Sequence, residues 1–231
     1  MSWLYSICRR AWSRRRFRHI FGDVNSNDCC TLAYGALELA DKATRLPYTK
    51  PHGNPSARFS ITLPVSISEV RACNYLSAEI GRITGCTPAI RSDLEIHGKL
   101  DLDFIALGGP LSNLKTEDCQ TNSANRLMVL DQANGSTFVN KSGKGENLVL
   151  EPGFDYGMIL KVCPHQFPDR MWMACAGRAE WGTSGAAWFL ANKWRKIEAE
   201  VGDKPFAVVV RVSPGKDESA EVIQTLVWPA C

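Results

Sequence analysis

The sequence predicts an α/β fold: a Rossmann-like domain with a mixed or mostly parallel sheet flanked by helices, behind a short basic helical segment. Three observations predict it. Apolar runs at 101–107, 170–176 and 206–212 have the composition of buried strands, and stretches after residues 66, 114 and 183 carry apolar positions at helical spacing. Two strand-to-helix junctions, moreover, hold glycine loops, Gly108 to Asn113 and Gly177 to Gly185. With 231 residues, 45% of them hydrophobic, the chain can bury one sizeable core. The expected division is a basic amphipathic segment at 1–22 and a single domain at 23–231.

Residues 1–22 hold six arginines (9, 10, 14, 15, 16 and 18) and no acidic residue, interleaved with Trp3, Ile7, Trp12, Phe17, Ile20 and Phe21. The segment reads as a short helix that packs on its own domain, lies on a membrane surface or docks a protein partner; nucleic acid is a weaker reading. The rest of the chain has 21 basic and 24 acidic side chains, so the net +3 becomes −3 without these arginines, which argues against a globally basic nucleic-acid binder. Asp23 to Asp28 reads as a polar turn, and Cys30 to Leu39 as a strand. Asp41 to Arg58, with Pro47, Pro51 and Pro55, reads as an exposed excursion before the alternating stretch from Phe59 to Val65.

Ser66 to Gly85 is expected to be helical, with Ser68 as its cap and Gly85 as its stop. Ala89 to His97 is a short strand or irregular. Asp101 to Leu107 reads as a parallel-type strand feeding the first glycine loop, where Ser112 or Asn113 caps a helix over 115–125. Residues 127–130 and 136–139 form a hairpin around Asp131 to Gly135, and Lys141 to Glu151 is a polar loop. Within it Ser142-Gly143-Lys144-Gly145 lacks the spacing of a phosphate-binding P-loop. Phe154 to Val162 is a turn and strand, Ala186 to Glu200 a helix, and Ser219 to Trp228 a strand or short helix.

Nine cysteines without a CxxC pair fit a reduced compartment, and the four histidines have no zinc-ligand spacing, so no metal and no cofactor is assigned. No run of eighteen apolar residues and no secretory signal pattern occurs, which points to a cytoplasmic location. The oligomeric state is left open.

In open α/β sheets ligands sit beyond the carboxyl ends of strands, and a strand-loop-helix junction aims free backbone N–H groups at one point. If their strands are parallel neighbours, the two glycine loops line one pocket. Gly108, Gly109, Gly182, Thr183 and Ser184 would bind through N–H groups or hydroxyls, Asn113 through its amide, Trp181 by stacking and Arg178 by its charge. Glu180 and Asp155 are the carboxylates close enough to these loops to serve as catalytic acid or base.

A strand followed by Gly108-Gly109-Pro110, with a later strand followed by Gly177 and a Gly182-Thr183 pair opening a helix, resembles the two-loop plan of the SLOG superfamily, the Lonely Guy-like nucleotide-binding domains. The resemblance implies a sensor, signalling or effector domain that binds a nucleotide or nucleotide-derived small molecule. Because Gly185-Ala186-Ala187 follows Gly182-Thr183, cleavage of a nucleotide N-glycosidic bond is the alternative, and docking of a membrane or larger complex through residues 1–22 is a third reading.

Overall fold

Helices pack against a sheet whose central strands, at 104–107, 155–162 and 172–177, are buried on both faces. The computed structural model describes residues 2–22, 29–36, 48–49, 58–59, 65–132, 134–143 and 148–228, with side chains from Ala11 onward outside 48–49 and 58–59. The expected turn at 23–28, and most of the excursion at 41–58 and of the stretch at 59–65, lie outside the described residues.

Helix α1 spans Ser2–Phe21, α2 Ile67–Thr84, α3 Leu114–Thr121 and α4 Glu180–Val201. Strands β1 (Thr31–Tyr34), β4 (Ala89–Ser92), β5 (Phe104–Leu107), β8 (Asp155–Val162), β9 (Trp172–Gly177), β10 (Phe206–Ser213) and β11 (Lys216–Val227) form one seven-stranded sheet in the order β11-β10-β8-β9-β5-β1-β4. Two short pairs stand apart: β2 (Tyr48–Thr49) with β3 (Arg58–Phe59), and the hairpin of β6 (Met128–Asp131) with β7 (Thr137–Asn140). The sheet is mixed: β4, β1, β5 and β9 run parallel, while β8, β10 and β11 pair antiparallel. The structure is therefore α/β, and residues 219–227, left between strand and helix by their pattern, belong to the edge strand β11.

Alternate residues of the strands feed two cores. On one face Leu32, Ile105, Ile159, Met173 and Val208 meet Leu76 and Ile80 of α2 and Ala187, Leu190 and Trp194 of α4. On the other, Phe104, Ala106, Met158 and Ala174 meet Cys119 of α3 and Leu127, Leu130 and Phe138 of the hairpin.

The last turns of α1 belong to the first core. Phe17, Ile20 and Phe21, at the i, i+3, i+4 spacing of one helix face, are buried, and the Phe17 ring stacks on Phe21 at 4.1 Å and meets the Trp194 edge at 5.2 Å. Arg16 and His19 pair with Glu198, whose carboxyl they hold below its ordinary value against the upward pull of burial. Among the described residues no helix is long and apolar enough to cross a membrane.

Candidate functional site

The strand order reverses beside β1: the α2 crossover carries the chain to β4 on one side, and the next strand, β5, returns to the other. Such a switch point leaves a crevice at the carboxyl ends of the two diverging strands. Tyr34 pairs with both Ser92 and Leu107, so their successors Gly35, Asp93 and Gly108 stand at one level at the mouth of this crevice.

Glu69, in the first turn of α2, reaches into it. Its side chain is only 3% exposed, and the Gly35 N–H donates to its Oε2 at 2.9 Å. A Cβ on Gly108, whose φ is +113°, would stand 2.5 Å from Glu69 Oε1, so this loop needs glycine both for its conformation and for the approach of that carboxyl. Burial, reinforced by the nearby Asp93 charge and only partly offset by the Gly35 N–H, pushes the Glu69 pKa up to about 8. At neutral pH it is mostly a neutral acid with a proton to donate.

Asp93 ties the surrounding loops. Its Oδ1 accepts from the Ala36 and Leu94 amides, each at 2.9 Å, and its Oδ2 accepts from Leu114 N–H at 2.9 Å, at the start of α3. Asn113 completes the frame: its Oδ1 accepts from the amides of Lys115 and Thr116 as the α3 cap, and its Nδ2 donates to Ala33 and Leu107 carbonyls, both at 2.8 Å. Asn113 thus binds β1, β5 and α3 together, with every donor and acceptor of its amide engaged in the protein.

The two glycine loops do leave adjacent parallel strands, since Leu107 of β5 pairs with Cys175 of β9. Between them lies Gln132, whose Oε1 accepts from Leu111 N–H at 3.1 Å and whose Nε2 reaches the Gly177 carbonyl at 3.5 Å. Gly109 makes room for it: a Cβ there would stand 2.3 Å from Gln132 Nε2.

At the second loop the helix starts earlier than its apolar spacing indicates, at Glu180 rather than beyond Thr183, so Gly182, Thr183 and Ser184 form its first turns and are buried. Its N-terminal amides already face an anion, the carboxylate of Asp155. Gly182 N–H donates to Oδ2 at 2.6 Å, and Tyr156 and Ala179 N–H donate to Oδ1 at 2.7 and 3.2 Å. This gives the helix dipole the negative partner it favours. Thr183 Oγ1 accepts from Gly177 N–H at 2.9 Å, while Ser184 Oγ donates to the fully buried Asp217 at 2.6 Å. Asp217 also accepts from Tyr75 and pairs with Arg71, whose guanidinium lies 4.7 Å over the half-buried ring of Trp181. Arg178 and Glu180 are exposed at the loop surface. Ser68, expected as the α2 cap, gives way to Ser66 at that position, which makes no side-chain cap bond.

Removing the Asp155 carboxylate leaves the Gly182 and Ala179 amides without a protein acceptor. Asp155→Ala is expected to lower the unfolding free energy by about 1–3 kcal/mol, read as a lower urea midpoint with an unchanged slope.

Gly108, Gly109 and Asn113 therefore meet at the crevice, with Glu69, Asp93 and Gln132 beside them as residues that sequence reasoning missed. Asp155, Gly182, Thr183 and Ser184 instead meet in a closed junction between α4 and the sheet. The missed acids sit on an amphipathic helix and just past a four-residue strand, without glycine punctuation; only the strand order brings them to the loops. Among the described residues no group of three His, Cys, Asp or Glu side chains is arranged to hold a metal ion. Compared with known proteins, the chain matches no family model, no curated protein and no solved structure.

Proposed function

We propose that this α/β domain binds a nucleotide or nucleotide-derived small molecule, with the nucleoside end seated in the crevice between β1 and β5. The observation that carries this reading is Glu69, a buried carboxyl pushed to a near-neutral pKa at the topological switch point of the sheet. A protonated acid donates to a base or sugar acceptor, and the negative charge of Asp93 beside it disfavours a phosphate at the same spot. The likeness of the two loops to the SLOG plan supports the nucleotide part of the proposal. The junction at α4, whose amides hold Asp155, is the poorer seat for an anion.

A thermal-shift panel of adenosine, AMP, NAD and cyclic nucleotides tests the proposal. At least one compound is expected to raise the melting temperature at pH 7. Its affinity should fall as pH rises through about 8, where Glu69 loses its proton, and Glu69→Gln should remove that pH dependence. A panel with no stabilising compound, or a pH dependence that survives in Glu69→Gln, overturns it.

A further inference from the structure

Helices α1, α2 and α4 meet at Trp194. The indole of this α4 residue is buried; the Phe17 ring of α1 stands perpendicular to it at 5.2 Å, and its Nε1 donates to Glu79 Oε1 of α2 at 2.8 Å. Over this junction opens a cavity of about 470 Å³, lined by Trp12, Ser13 and Arg16 of α1, Arg82 of α2, and Trp194 and Arg195 of α4. A second cavity of about 380 Å³ adjoins it, sharing Trp12 and Arg16 and adding Arg15, His19 and Glu198. The first lies far from the crevice: Arg82 is thirteen residues beyond Glu69, about 20 Å along α2.

The carboxylates at this place do not neutralise the arginines around them. Glu79 accepts from Nε and Nη2 of Arg82, each at 2.7 Å, as well as from the Trp194 N–H, and Glu198 pairs with Arg16 and His19. In both arginines the third nitrogen, Nη1, meets no acceptor among the described residues. Arg195 has no carboxylate partner among them either: its guanidinium lies 4.3 Å over the Trp194 ring and donates to the Ser13 hydroxyl at 3.3 Å. The same holds for the exposed Arg14, which donates to the Ile83 carbonyl beside Arg82, and for the exposed Arg15. Among the described residues, therefore, five guanidiniums gather around two carboxylates. Like charges so gathered repel one another, and an anion among them relieves that repulsion.

We propose that the cavity between α1, α2 and α4 binds a terminal phosphoryl group, carried by a soluble phosphate compound or by the headgroup of an acidic lipid. Guanidiniums brought from three helices to one cavity suit its tetrahedral oxygens, because each fork gives paired N–H donors and forks from separate helices reach different oxygens. Stacking holds two of the forks in place, Arg16 at 4.7 Å over the Trp12 ring and Arg195 over Trp194, so less freedom is lost when an anion arrives. The volume is that of a small-ligand site.

Two measurements on the full chain test this: calorimetric titration with inorganic pyrophosphate, and sedimentation with phosphatidylcholine vesicles containing phosphatidate. Neither probe carries a base or a sugar, so the outcome is independent of the crevice. Saturable one-to-one binding of pyrophosphate without vesicle binding assigns a soluble compound. Vesicle binding stronger than to phosphatidylserine vesicles of equal surface charge, with or without pyrophosphate binding, assigns a lipid headgroup. In whichever arm binds, Arg195→Gln is expected to weaken binding at least about tenfold, the loss of a charge-assisted pair of hydrogen bonds, with an unchanged urea midpoint. Lys193→Gln removes the same charge from α4 at the Trp188 ring, outside the cavity, and is expected to change binding by less than about twofold. Absence of pyrophosphate binding together with no preference for phosphatidate, or equal effects of the two substitutions, overturns the proposal.

Discussion

Gly182→Ala is expected to lower the unfolding free energy by about 3 kcal/mol or more, although alanine is the better helix former. A Cβ at Gly182 would lie 2.1 Å from the Tyr156 carbonyl oxygen, and the reciprocal Cβ on Gly157 would lie 2.0 Å from the Gly182 carbonyl oxygen. Both obstacles are backbone, so neither can move without lifting α4 off β8 and breaking the Gly182 to Asp155 hydrogen bond. Gly81→Ala in the interior of α2 is the control. Its Cβ would meet only the Cys86 carbonyl oxygen at 3.6 Å, an ordinary contact, and the substitution is expected to stabilise by up to about 1 kcal/mol. Urea unfolding of the two variants, with opposite signs, checks the close packing of helix on sheet directly.

The second large effect is a loss of stability with rising pH. Glu69 has a pKa of about 8 in the folded chain against 4.5 for an ordinary glutamate, so between these values the folded state holds a proton that the unfolded state has released. Stability from this group is fully present below pH 4.5 and is lost as pH rises through 8, at about 1.4 kcal/mol per pH unit in between. The total is on the order of 5 kcal/mol. Glu69→Gln, of the same shape and without the titration, is expected to flatten this part of the profile and to be more stable than the parent at pH 8.5. Unfolding free energies from pH 5 to pH 9 check it, and parallel profiles for the two proteins would remove Glu69 as the cause.

Residues whose local chemistry decides their conformation were legible in the sequence. Gly85 stops α2 because it alone there adopts a left-handed conformation readily, at φ +78°, and the hairpin of β6 and β7 forms around Asp131 to Gly135 as its turn residues indicate. The glycines at 177 and 182 were legible as a loop but carry a second meaning that one strand of sequence does not display. Gly157 pairs with Gly177 in the sheet, and together with Gly182 they let α4 settle backbone to backbone on β8 and β9, a use of glycine set by tertiary contact. Asp155 stands out in the sequence as an acid near that loop; its three amide donors, two of them from residues more than twenty positions away, become visible only when β8 lies beside β9. Glu69 falls within the helix expected over 66–85, and nothing local to it signals burial. Its environment is made by Gly35, Asp93 and Gly108, which three different strands deliver to one level.

Hydrogen–deuterium exchange with and without the most stabilising compound of the nucleotide panel decides whether the ligand sits in the crevice between β1 and β5. Slowed exchange is expected in peptides covering 32–36 and 107–116, at the ends of β1 and β5, with 177–184 unchanged. Protection confined to 177–184, or none in either region under saturating ligand, would contradict it.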